Sequence, residues 1–207
     1  MSALEEEPRR KLNAVVLVVV VLCLLWLVWV LWPVAEKPEV PEVGYLDMHV
    51  HTAGLGHGDS GILLSDELRD NFRYPFYLHA FGVSEEELEQ YGDKIVLERI
   101  HDQVSSSEYI AQAVVLALDG VVGSDGNLSE EDTVIYVPNE FLIRELPEYE
   151  TLLFGASINP YRHDAIERLE YVVQNGAVLI KWIPNIMDID PSDRAITPFY
   201  RRMKELD

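Results

Sequence analysis

The stretch "YLDMHVHTAGLGHGDSG", residues 45–61, sets two histidines one residue apart at the end of an apolar run and then places four glycines in eight residues. Side chains at i and i+2 of a strand point to the same side, so Asp47, His49 and His51 form one row while Met48 and Val50 face the other way. Two imidazoles in one row can ligate a single divalent ion. Both sit late in the strand, near the C-terminal edge where parallel α/β folds build their sites, and Gly54, Gly56 and Gly58 then permit close backbone approach. The competing reading is a pair of unrelated histidines, and the preceding apolar strand with its aspartate favours the metal.

Three more short apolar runs read as buried strands: "QAVVLALDG" (112–120), "TLLFGASINP" (151–160) and "AVLIKWIPN" (177–185). Helical spacing fills the intervals, in "IVLERIHDQVSSSEYIA", "PNEFLIRELPEY" and "DAIERLEYVVQNG", the last stopped by Asn175 and Gly176. After the fourth strand, "TPFYRRMKEL" offers Thr197 as N-cap and Pro198 at the first helical position. The order βαβαβαβα predicts a parallel sheet with right-handed crossovers, either doubly wound or part of a barrel, and periodicity alone does not choose. The first connection, from Thr52 to about Ile95, is unusually long. It carries a short helix at "SEEELEQY", capped by Ser84 and Glu87, and the aromatic segment "NFRYPFYLHAF" (71–81), read as a pocket wall or, with more weight, a local mini-core.

Ahead of this domain, residues 14–32 read "AVVLVVVVLCLLWLVWVLW", without a charge, which predicts a transmembrane helix after a cytoplasmic tail of residues 1–13. Arg9, Arg10 and Lys11 precede the span, so the bulk of the chain is expected to be extracytoplasmic. A Pro/Glu-rich spacer, residues 33–43, leads to the domain of residues 44–207. The formal charge of -20 lies wholly beyond Trp32, since Glu5, Glu6 and Glu7 offset the three basic residues, and such a surface disfavours nucleic acid as a partner. Cys23 is the only cysteine, so a metal must use His, Asp, Glu or modified Lys. In "HGDSG" (57–61), His57, Asp59 and Ser60 are triad residue types, but neighbours in one loop seldom reach triad geometry, and the segment reads as a glycine-rich loop.

"YLDMHVH" resembles the opening strand of the metal-dependent amidohydrolase superfamily, and "GAVLIKWIPN" resembles the fourth strand of its amidohydrolase-related branch. The resemblance implies a (β/α)8 barrel, here about four βα units long, in which His49 and His51 bind a divalent metal, with zinc the expected ion. Lys181 occupies the strand that supplies a bridging carboxylated lysine in dinuclear members. The histidines of the family's fifth and sixth strands and the aspartate of its eighth have no counterpart in this sequence, so the domain reads as half a barrel: a truncated, inactive product of a longer enzyme or, failing that, a chain completed by self-association.

The function this implies is a membrane-anchored, metal-dependent hydrolase acting on the amide, lactone or ester of a small carbonyl-containing substrate. Asn159 and Arg162, just after a strand end, are candidate substrate contacts. Decarboxylases of the same branch, phosphoesterases of the polymerase-and-histidinol-phosphatase type, which also begin "D-x-H-x-H-T", and an anchored non-catalytic scaffold are the alternatives.

Overall fold

A computed structural model describes residues 6–31, 39–40 and 42–206. Trp32 and most of the expected spacer, residues 33–38 and 41, lie outside the described residues. The chain divides into two compact units, residues 1–39 and 40–207.

The first unit holds helix α1 (Glu6–Val30), in which the large apolar side chains from Val15 to Val30 are all exposed. Among the described residues, no helix is long and apolar enough to cross a membrane. Helix α1 covers residues 14–30 of the transmembrane helix expected over residues 14–32, and Trp32 lies outside the described residues.

In the second unit the elements follow as β1 (Tyr45–His51), β2 (Leu63–Leu64), α2 (Asp66–Arg69), α3 (Tyr74–Phe81), α4 (Glu85–Tyr91), α5 (Lys94–Ser105), β3 (Ile110–Leu116), β4 (Ile135–Tyr136), α6 (Asn139–Glu145), β5 (Leu152–Ala156), α7 (Ala165–Gln174), β6 (Leu179–Ile180), α8 (Pro184–Met187) and α9 (Thr197–Glu205). The four expected strands are β1, β3, β5 and β6, all parallel and in the order β1-β3-β5-β6, curled as a half-barrel. Strand order that never reverses leaves no switch point, so each crossover steps the same way around the sheet, as in a barrel and not as in a doubly wound sheet.

The helices carry the apolar stripes their spacing predicted. In α5, Ile95, Val96, Leu97, Ile100 and Val104 are buried, and in α7 Ala165, Leu169 and Val172 are. They pack with Ala113, Val115 and Ala117, one face of β3 and its extension. Val114 and Leu116 stand on the other face of β3, where Gly155 leaves no room: a Cβ there would lie 2.6 Å from Leu116 Cδ2 and 2.8 Å from Val114 Cγ1. This strand glycine permits the tight inner layer of a curled sheet.

The ends of the sheet are open. Along β1, Tyr45, Leu46 and Met48 are exposed, and beside β6 so is Val178. Between Asp47 and Val50 the pairing of β1 with β3 slips by one residue, a bulge centred on Met48 and His49.

Two details depart from expectation. Thr197 is not an N-cap: a 3-10 turn, Arg194–Ile196, capped by Asp193 through Ala195 N at 2.9 Å, runs straight into α9 and makes Thr197 its first helical residue. The other is "VIYV" (134–137), which pairs antiparallel with the first insertion (Leu63 with Tyr136, Leu64 with Ile135) and so joins the loops that follow β1 and β3. The capping box of Ser84 and Glu87 at the start of α4 is present in both directions. Because the inner layer is full, Gly155→Ala is expected to lower stability by about 1–3 kcal/mol, although alanine suits a strand better; urea unfolding measures it.

Candidate functional site

His49 and His51 stand face to face at the end of β1, His49 within the bulge. Their Nε2 atoms are 2.9 Å apart, with ring planes tilted by 60°. Asp47, third in the row, bends back to accept the His49 N–H at 2.9 Å. Across the curl of the sheet, Lys181 follows β6 directly, its backbone N–H donating to Ala156 O, and its Nζ lies 3.5 Å from His49 Nε2. The structure thus brings together His49, His51 and Lys181, three residues separated by up to 132 positions in the chain.

In the protein alone, nitrogens this close require one imidazole to donate an N–H to the other, so the pair cannot carry protons on both facing nitrogens. Burial, followed by the charges of His49 and Lys181, lowers the pKa of His51 from its ordinary value of 6.5. A neutral imidazole is the form that ligates a metal. The spacing of 2.9 Å is that of a hydrogen bond, and it is shorter than the roughly 3.3 Å that two zinc bonds of about 2.0–2.1 Å span at a tetrahedral angle, so a bound ion would spread the rings slightly. Lys181 would add a third donor only after losing a proton, through its nitrogen, or after carboxylation, through the carbamate oxygens. Among the described residues, no group of three or more His, Cys, Asp or Glu gathers around a metal-sized point. The nitrogen donors gathered at this point are the two imidazoles, with the Lys181 amine beside them.

The glycine loop makes the close approach its spacing suggested, and makes it to a buried carboxylate. Asp93, fully buried just before α5, accepts the N–H groups of Leu55 and Gly56 at 3.0 and 2.9 Å and the hydroxyl of Ser60. A Cβ on Gly54 would fall 2.2 Å from Asp93 Cγ, so only glycine lets the loop close over this carboxylate. Ser60 belongs to that tie, and the residues of "HGDSG" form no triad.

Asn159 and Arg162 lie inside a polar network and do not line the neighbouring cavity. Arg162 donates from Nε and Nη2 to the two oxygens of Asp119 at 2.7 and 2.6 Å, with both side chains nearly buried. Burial disfavours the guanidinium charge, but the bonds to Asp119 outweigh it and raise the pKa of Arg162. Asn159 donates its side-chain amide to Gly120 O and Met187 O, and its backbone N–H to Asp119 Oδ2. Their polar groups hold the strand ends in place, a positioning role where substrate contact was expected.

Beside the histidines a cavity of about 350 Å³ opens under the first insertion. His51, Thr52 and Ala53 border it at the end of β1. Tyr74, Tyr77, Leu78 and Phe81 of α3 form one wall, and Leu118, Ile135, Ile183 and Ile186 complete others. The aromatic segment 71–81 is thus a pocket wall. Tyr74 is pinned there, its hydroxyl donating to Glu85 Oε1 at 2.7 Å, and burial together with that bond pushes its phenol up to about 12. Sequence reasoning missed Thr52 and the isoleucines after Lys181. Only their position just beyond strand ends could have marked them.

No family model, curated protein or solved structure matches the chain. Removing one partner of a buried, hydrogen-bonded ion pair leaves an uncompensated charge, so Arg162→Ala is expected to destabilise the domain by about 3–5 kcal/mol, measured by urea unfolding. A loss below about 1 kcal/mol would show that Asp119 finds solvent or another partner.

Proposed function

We propose that the domain of residues 44–207 is the metal-binding half of a (β/α)8-barrel hydrolase of the amidohydrolase type, acting on an amide, lactone or ester. The observation that carries this reading is the convergence of His49 and His51 at 2.9 Å with Lys181 beside them, at the C-terminal ends of the first and fourth strands of a singly wound parallel sheet. Those are the positions the sequence resemblance assigns to metal ligands. His49 and His51 would hold a divalent ion, with zinc the expected one, and Lys181 would complete or bridge the site. Such an ion polarises a carbonyl or acidifies water for attack. The chain's own part is to keep the His51 imidazole neutral, to set both rings face to face, and to offer a water-poor cavity next to them.

Equilibrium dialysis against zinc followed by elemental analysis tests this. The wild type is expected to retain about one ion per chain at neutral pH, His49→Ala and His51→Ala to lose at least tenfold in affinity, and retention to fall in acid because protons compete for the imidazoles. A wild type that holds no zinc, cobalt or manganese would end the metal reading and favour a scaffold.

Helix α1 supports a membrane-associated placement of the protein. Side chains such as Leu25, Trp26 and Trp29, exposed by 56%, 62% and 75%, need an apolar surrounding. In this reading helix α1 meets the bilayer and the acidic domain stays in the aqueous phase. Full-length protein is expected to float with liposomes in a density gradient and a chain lacking residues 1–39 to stay behind; flotation of both, or of neither, would contradict it.

A further inference from the structure

We propose that the outer face of α3 rests on the surface of a phospholipid bilayer, with the Phe72 and Phe76 rings among the upper acyl chains and Arg73 and Tyr77 at the level of the headgroups. The inference rests on the membrane-associated reading of α1 and goes beyond it, giving the acidic domain a lipid contact of its own.

The composition of α3 comes first. A helix on the surface of a globular domain turns an apolar stripe inward and charges outward. In α5 the outward residues Lys94, Glu98 and Asp102 are exposed and charged. Helix α3, "YPFYLHAF", holds no Asp, Glu, Lys or Arg, and none of its residues is buried. Tyr74, Leu78 and Phe81, spaced as one helical stripe, are partly buried against the domain. Phe76 on the other side is 69% exposed, and Phe72, in the turn that leads into the helix, is 76% exposed. Helices that are apolar on every side belong to protein interiors or to membranes, and the domain covers only one side of this one.

Charge and tethering select the occupant. Residues 71–84 carry Arg73 and no acid, in a chain of formal charge -20, so this stretch can approach lipid phosphates where the acidic surface cannot. The Arg73 guanidinium lies 5.3 Å from the centroid of the Phe72 ring. With its stem along that ring, the cation can stay at the phosphates while the ring enters the acyl layer. Phenylalanine and tyrosine are side chains that interfacial segments present to lipid. Two phenyl rings alone would hold a protein on a bilayer only weakly and reversibly, as a single acyl chain does. Residues 31–44 join α1 to the domain, so a bilayer that holds α1 is offered to α3 at a high effective concentration, an advantage no soluble partner has.

The test uses full-length protein in a Cys23→Ser background. Ala80→Cys, at an exposed position one helical turn beyond Phe76, carries a polarity-sensitive naphthalene dye, and Tyr171→Cys on α7 carries it as the control. With excess phosphatidylcholine vesicles, the dye at position 80 is expected to shift its emission to shorter wavelength and the dye at position 171 to stay as in buffer. Adding Phe72→Ser and Phe76→Ser should abolish the shift while the protein still floats with the vesicles. No shift at position 80, an equal shift at position 171, or a shift that survives the two serines would each overturn the proposal. So would a shift that appears without vesicles as protein concentration rises, which would assign the face to a second copy. Flotation without the shift ends this inference and leaves the reading of α1 standing, and the shift without flotation does the reverse.

Discussion

The Asp119 carboxylate accepts four hydrogen bonds in a place where water cannot reach it, from the backbone of Gly120 and Asn159 and twice from Arg162. A buried charge so fully partnered leaves little freedom to the segments that supply its donors. Asp119 ends the extension of β3, and Asn159 and Arg162 lie beyond β5. Ser157 ties the same two strand ends through its hydroxyl, which accepts the Asp119 N–H, while its backbone is clasped on both sides by the Asn139 side chain. The Asn159 amide then reaches Met187 O at the end of α8, and the Trp182 indole donates to Ile158 O. The segment carrying Lys181 is thus fixed from both sides, which is how an amine far along the chain comes to rest against the imidazole of His49.

A second constraint works on β1 from the opposite edge. Its bulge contains His49, and the Asp93 tie holds the glycine loop down so that the residues after His51 turn into the cavity and not away from it. Two carboxylates, Asp93 and Asp119, therefore organise the two sides of one site without standing in it. The arrangement leaves the imidazoles, the amine and an apolar hollow as the groups free to meet a ligand.

Among the described residues both sheet edges are unpaired, and apolar side chains are exposed at each. Unpaired parallel edges of this kind are uncommon in isolated domains, because they leave backbone donors and acceptors to water and invite pairing. The curl of the four strands and their order follow one direction of winding around the sheet.

Strand and helix identities were legible in the sequence because they follow from local apolar periodicity: β1, α5 and α7 match their patterns within a few residues. The row of His49 and His51 was legible for the same reason, since alternation along a strand is a local property, although the bulge at His49 was not. The sheet order was beyond reach, because doubly wound and barrel sheets share the same βα alternation and differ only in which strands touch. Asn159 and Arg162 looked like substrate contacts because their distant partner, Asp119, is invisible to any pattern within a few residues. The cavity emerged only once α3, β4 and the segment after β6 were assembled around the end of β1. The amino-acid sequence by itself determined the elements and the placing of two imidazoles in one row; the tertiary structure alone decided what those elements enclose, because enclosure depends on contacts between residues that the chain keeps far apart.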